Sequence, residues 1–243
     1  MSANLLSAGK DPMGAAIADF FRHGKAGRLR VFSSQFDEDE IPVASLFRTF
    51  DEMPALEQKA LELAGGRILD VGAGSGCHSL ALKKMGKKSL AIDISPLSVE
   101  VMRERGLDVE QADLFDEHFC GEFDTVLMLM NGSGIVGKLS RFPDFFCRMK
   151  QLLAPGGCIL MDSSDLKYLY EDDEDGSYVI DLAGAYYGEV DFRMQYKQVR
   201  GDKFDWLYVD FDTLALYASQ YGFKVEMVEA GEHYDYLAKL TIR

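Results

Sequence analysis

Residues 67–82 read RILDVGAGSGCHSLAL. An apolar run, Ile68 to Val71, leads into glycines at 72, 74 and 76 and then into residues with helical spacing. The stretch reads as a strand, a tight loop and the first turns of a helix. Lacking a β-carbon, glycine lets the backbone turn sharply and approach a bound molecule closely. The helix that follows aims its unpaired N–H groups at that molecule. Such a junction, at the carboxyl end of a parallel sheet, binds a nucleotide or a nucleotide-like cofactor. The plain alternative is a turn that only joins a strand to a helix.

Downstream, strand and helix patterns alternate. Ser89 to Ile92 forms an apolar strand ending in Asp93, and Ser95-Pro96 opens a helix that stops at Gly106. Leu107 to Ala112 is a third strand, ending in Asp113, and the nearly continuous apolar run Phe123 to Met130 is a fourth, covered on both faces. Asn131 and glycines 132, 134 and 137 follow, then a helix from about 142 to 153, Pro155-Gly156-Gly157 and a fifth strand at Cys158 to Met161. This alternation predicts an α/β fold with a mostly parallel, doubly wound sheet.

Upstream, Asp11-Pro12 is a cap and first-position pair for a helix ending at Gly24. A short extended run, Leu29 to Phe36, precedes the acidic cluster DEDE at 37–40. A second helix runs from Pro54 to before Gly65-Gly66, with Leu56, Leu61 and Leu63 as core candidates. After Asp162 the alternation breaks. There follow an acidic run at 171–175, two extended segments (190–199 and 204–211) spaced as a β-hairpin, a helix at 212–221 and a final strand pair, 223–228 and 236–242. We read 1–243 as one domain: an N-terminal helical cap (1–64), a core (65–164), an insertion with the hairpin (165–211) and a terminal helix and strand pair (212–243).

Composition narrows the function. At 243 residues, 47% of them hydrophobic, the chain can bury a sizeable core. A formal charge of −14 argues against a nucleic-acid groove, which needs lysine and arginine to neutralise phosphates. The N-terminus does not read as a signal peptide, and no stretch is apolar enough to span a bilayer. Cys77, Cys120, Cys147 and Cys158 form no C-x-x-C pair, and the four histidines show no metal-ligand spacing. The cysteines read as reduced thiols of a cytoplasmic protein.

Three aspartates stand in or just beyond the ends of successive strands: Asp70, Asp93 and Asp113. Asp93, 21 positions after Gly72, is placed to accept from two ribose hydroxyls, and Asp113 to accept from an adenine amino group. Each alone is equally well a capping or solvated aspartate. A dinucleotide site wants G-x-G-x-x-G, but Cys77 stands where the third glycine belongs.

The compact glycine spacing after Asp70 resembles instead the first motif of class I S-adenosylmethionine-dependent methyltransferases. LAIDISP at 90–96, QADLFD at 111–116, FDTVLMLMNGSG at 123–134 and LLAPGGCILMD at 152–162 resemble that family's later segments, in order. The resemblance implies a seven-stranded, mostly parallel sheet whose last strand is antiparallel, with helices on both faces. It also implies S-adenosylmethionine as cofactor, held by Asp70, Gly72, Ala73, Gly74, Gly76, Asp93, Ile94, Asp113, Leu114 and Asn131. At Asn131 the chain departs from the family's DNA and protein-amide enzymes: it has NGSG, not Asn/Asp-Pro-Pro-aromatic. The implied acceptor is therefore a small molecule rather than a planar base or amide.

No motif marks a catalytic base; Asp162, Asp165 and His233 are candidates, with His233 also an ordinary loop histidine. Arg48 is either a partner for a donor or acceptor carboxylate or a surface arginine. Tyr168, Tyr170, Tyr178, Tyr186, Tyr187 and Trp206 either read the acceptor or pack the hairpin. Two other readings stay open, a non-catalytic cofactor- or partner-binding protein of this fold and a nucleotide-dependent oxidoreductase. Acceptor identity and oligomeric state are not encoded in any motif.

Overall fold

The structure, a computed structural model, describes residues 4–171, 178 and 184–243. Of the acidic run at 171–175, residues 172–175 lie outside them. Helix α1 (Pro12–His23) starts where the Asp11 carboxylate accepts the Gly14 N–H at 2.8 Å, and it ends at Gly24, whose φ of 69° suits a residue without a β-carbon. Strands β1 (Leu29–Phe32) and β2 (Asp39–Ile41) follow, then helix α2 (Ala55–Leu63), strand β3 (Arg67–Val71) and helix α3 (Cys77–Lys84). Next come β4 (Lys88–Asp93), α4 (Pro96–Glu104), β5 (Val109–Gln111), β6 (Phe123–Met128), α5 (Phe142–Leu152) and β7 (Leu153–Ser164). The chain ends with β8 (Glu189–Tyr196), β9 (Val199–Arg200), β10 (Phe204–Leu207), α6 (Phe211–Gln220), β11 (Phe223–Ala230) and β12 (Asp235–Ile242).

Seven strands form the main sheet, in the order β11-β12-β7-β6-β3-β4-β5. The pairs from β7 to β5 are parallel, and β12 runs antiparallel to both of its neighbours. This is the doubly wound sheet expected from the alternating pattern. Because successive side chains in a strand point to opposite faces, the apolar strands feed two cores. Ile68, Leu127, Leu160 and Leu237 pack with Leu56, Ala60 and Leu61 of α2 and Ala81 and Leu82 of α3. Leu69, Val126, Ile159 and Met161 face Phe142, Phe145, Phe146 and Met149 of α5 and Leu214 of α6. Each such side chain contributes about 1.5–3 kcal/mol when fully buried. Leu63, expected in the core, is 46% exposed, because it falls on the solvent side of the last turn of α2.

The N-terminal quarter is not simply a helical cap. β1 pairs antiparallel with β2 and with β8, and β8 pairs with β10, so the N-terminal segment and the hairpin build one second sheet. The acidic cluster at 37–40 is partly strand β2. Two of its four charges are paired, Glu38 with Arg30 at 2.5 Å and Glu40 with Arg28 at 2.6 Å. Helix α1 joins this sheet to α4 through Ile17, Leu29, Val101 and Tyr196.

Candidate functional site

The strand order reverses between β3 and β6, and ligands of such sheets bind beyond the carboxyl ends at that switch. A cavity of about 1440 Å³ opens there, lined by the loops after β3, β4, β5 and β6 and, from the second sheet, by Val31, Phe192, Met194 and Trp206. One drug-sized ligand needs about 300–1,000 Å³. The space therefore suits two ligands.

Gly72 and Gly74 line this cavity with φ of 66° and 58°, in the left-handed region that glycine enters without strain. A β-carbon on Gly72 would stand 3.0 Å from Ile135 Cδ1, so the backbone here approaches the loop after β6 closely. Ala73 lines the cavity between them. Gly76 does not line it. A β-carbon there would meet Leu107 and Met102, so that glycine serves the packing of α3 on α4.

Asp93 ties the loop down. Its Oδ2 accepts the Gly74 N–H and its Oδ1 the Ser95 N–H, both at 2.8 Å. Burial raises its pKa to about 6 against these two bonds. Each oxygen keeps a lone pair for a further donor. Ile94 presents an exposed apolar side chain to the cavity and Leu114 a buried one. Asp113 is already engaged: its Oδ1 accepts the Phe115 N–H at 2.9 Å and its Oδ2 the Asn4 N–H at 3.0 Å. The N-terminal segment thus crosses the ends of β4 and β5, with the Leu6 N–H on the Ile94 carbonyl at 3.0 Å and Lys10 paired to Asp202.

Asp70 lies beneath the loop, 2% exposed, accepting from Ser79 Oγ at 2.7 Å; burial raises its pKa. Asn131 stands at the cavity wall with φ of 57°, after Met130 at 67°, and its Oδ1 accepts from Ser164 Oγ at 2.7 Å. Two consecutive non-glycine residues in the left-handed region store strain of order 1–3 kcal/mol each. Asp162 holds this turn through the Met130 and Gly132 N–H groups, one on each of its oxygens. Asp165 accepts from Tyr187 Oη at 2.7 Å and pairs with Lys167. His233 lines the rim of the cavity and is exposed.

Arg48 is no surface arginine. It pairs with Glu57, whose other oxygen meets His78 Nε2 at 2.7 Å, and all three side chains are at most 13% exposed. Burial alone would raise the Glu57 pKa, but His78 and Arg48 hold it low; burial would lower that of His78, but Glu57 and Asp70 raise it. His78 lines the cavity, and Arg48 Nε, behind it, is buried without a hydrogen-bond partner. No sequence signal marks Glu57 and His78, because they lie 21 positions apart on different helices.

The donor chemistry fits these residues: a glycine cradle against Ile135 and a carboxylate with lone pairs to spare at Asp93. Comparisons with known proteins agree. Residues 68–157 match the family described as "Methyltransferase domain". A Bacteroides fragilis S-adenosylmethionine-dependent methyltransferase, solved with S-adenosylhomocysteine, is 66% identical, with 99% of this chain and 98% of that one covered and a TM-score of 0.94. The chain belongs to the class I S-adenosylmethionine-dependent methyltransferases. Its cofactor is S-adenosylmethionine. Among curated methyltransferases, a Xanthomonas oryzae ubiquinone biosynthesis O-methyltransferase is 31% identical over 114 residues, 42% of this chain and 45% of that one. A Streptomyces cypemycin N-terminal methyltransferase is 29% identical over 107 residues, 42% and 44% of the two chains. This methyltransferase spans less than half the length of those two relatives. No helix among its described residues is long and apolar enough to cross a membrane.

Proposed function

We propose that the protein transfers the methyl group of S-adenosylmethionine to a small-molecule acceptor. The observation that carries this reading is the shared cavity in which the glycine loop, Asp93 and the loop after β6 face the second sheet. When bound, S-adenosylmethionine supplies an electrophilic methyl group on a sulfonium. Asp93 accepts from the ribose hydroxyls with its remaining lone pairs, while Ile94 and Leu114 enclose the adenine and Asp113 borders it. The backbone of Gly72, Ala73 and Gly74 receives the methionine portion above Asp70, and Asn131 borders the sulfur. Arg48, paired with Glu57, stands behind His78 at this end of the cavity. Positioning supplies most of the acceleration, in favourable cases about 7–11 kcal/mol, since no large anion develops.

The N-terminal segment and the hairpin form the acceptor side of this one domain, as loops and insertions around a rigid scaffold commonly do. The enclosing second sheet favours an acceptor small enough to enter the cavity over a folded macromolecule. Four cysteines without disulfides agree with a cytoplasmic setting. The test is incubation of the protein with isotopically labelled S-adenosylmethionine and a cell extract separated into small-molecule, protein and nucleic-acid fractions. Label is expected in the small-molecule fraction; label in protein or nucleic acid overturns the acceptor class.

A further inference from the structure

Three lysine or arginine side chains line the cavity: Lys10, Lys203 and Arg141. The two lysines are paired, Lys10 with Asp202 and Lys203 with Asp191 at 3.1 Å. Arg141, at the entry to α5, has no hydrogen bond or ion pair on its guanidinium among the described residues, in a chain with 40 acidic residues against 26 basic ones. Its contact is with a ring: the guanidinium carbon stands 4.2 Å from the centroid of Phe115. A cation–π contact of this kind leaves the guanidinium N–H donors unspent, and those donors suit bidentate binding of a carboxylate or phosphate.

The position of Arg141 separates it from the donor's own carboxylate. Cys77 and His78, with Arg48 behind them, lie at the glycine-loop end, whereas Arg141 lies beside the hairpin. A β-carbon on Gly137 would stand 3.5 Å from Arg141 Nη1 and 3.6 Å from the Asp205 carbonyl oxygen, and Trp206 follows directly in β10. Of the hairpin carboxylates near this segment, that of Asp205 is turned to Lys138 Nζ at 3.4 Å and that of Glu189 accepts the Leu139 N–H at 3.0 Å.

We propose that Arg141 anchors an anionic group, carboxylate or phosphate, of the methyl acceptor, with the acceptor's body against Trp206. This rests on the methyltransferase reading above and names its substrate class. Trp206 is the chain's one tryptophan, so its fluorescence reports on this compartment. The experiment titrates the S-adenosylhomocysteine-saturated protein with 3-phenylpropionate, phenyl phosphate, 2-phenylethanol and 2-phenylethylamine, following Trp206 fluorescence and calorimetry.

Saturable binding of at least one anion is expected, with the neutral and cationic probes weaker by about tenfold or more, as a charge-assisted pair implies. The stronger anion tells carboxylate from phosphate. Arg141→Gln removes that preference, Arg141→Lys keeps part of it, and both leave affinity for S-adenosylhomocysteine within about twofold. Equal binding of the alcohol or the amine, no saturable binding of either anion, or indifference to Arg141→Gln overturns the proposal. So does a parallel loss of S-adenosylhomocysteine affinity in Arg141→Gln, which would assign the residue to the donor. If the wild-type protein does not bind S-adenosylhomocysteine, the donor reading fails separately, and the same titrations without it still decide the role of Arg141.

Discussion

Asp162, near the end of β7, accepts the Gly132 N–H at 2.9 Å, and with its other oxygen it holds the Met130 N–H at 3.1 Å. Between these two donors lies Asn131, in a left-handed conformation that only the surrounding bonds maintain. Replacing Asp162 by Ala leaves two backbone donors unpaired. Each costs about 1–3 kcal/mol, offset in part by removal of a buried charge. We expect a loss of about 2–4 kcal/mol in urea unfolding and weaker binding of S-adenosylhomocysteine in calorimetry. Unchanged stability and affinity would mean that the turn holds itself.

The loop is also shaped from the other side. A β-carbon on Gly134 would overlap Cε2 and Nε1 of Trp206, so that glycine is where the hairpin closes on the loop after β6. Gly134→Ala should displace the indole at an overpacking cost of about 1–3 kcal/mol. A shifted Trp206 emission maximum with donor-product affinity retained is the expected result. An unmoved emission spectrum would contradict the contact.

Asp93 gives the donor site a pH dependence. Burial raises its pKa to about 6, above the ordinary 3.8. A carboxyl group raised in this way contributes stability that is fully present below pH 3.8 and lost as pH rises through about 6. Relative to Asp93→Asn, the apo protein should therefore lose stability between about pH 4 and pH 7, by about 1.4 kcal/mol for each pH unit that separates the folded and unfolded values. Donor-product binding should run the other way, because ribose hydroxyls donate best to the ionised form. Its affinity is expected to weaken as pH falls from about 7 to about 5, and calorimetry of Asp93→Asn should show a flat profile.

The buried Arg48, Glu57 and His78 cluster should be the costliest to break. Removing Glu57 leaves two basic groups in the interior, and loss of one partner of a buried pair costs about 3–5 kcal/mol. The contribution of Glu57, whose pKa is lowered, is present above its unfolded value near 4.5 and lost as pH falls through its folded value. That of His78, whose pKa is raised, is present below 6.5 and lost as pH climbs through its folded value. Glu57→Gln should thus be most destabilising between these limits. Urea unfolding at about pH 5.5 and about pH 9 provides the measurement, and a difference independent of pH would contradict the ionic reading.

Much of the fold was legible because its causes are local. Alternating apolar runs, the Asp11-Pro12 and Ser95-Pro96 caps, and glycines where φ turns positive need only neighbouring residues to act. The same holds for Gly72, Gly74 and Asp93, which fall within one strand–loop–helix unit and the next strand. Gly76 shows the limit: its close packing against Leu107 and Met102, distant in sequence, is not contained in the glycine spacing.

By itself, the sequence determined the class of sheet, the glycine junction and the carboxylates beyond its strands, because periodicity and turn chemistry are short-range. Only the tertiary structure decided that the N-terminal segment and the hairpin are one sheet, since β1 and β8 are paired across more than half of the chain. It also decided which charges are spent and which are free. Arg48 and Arg141 look alike in sequence, yet folding buries the first against Glu57 and His78 and leaves the second over the Phe115 ring, lining the cavity. Ion pairing depends on distances across the fold, which a linear pattern does not contain.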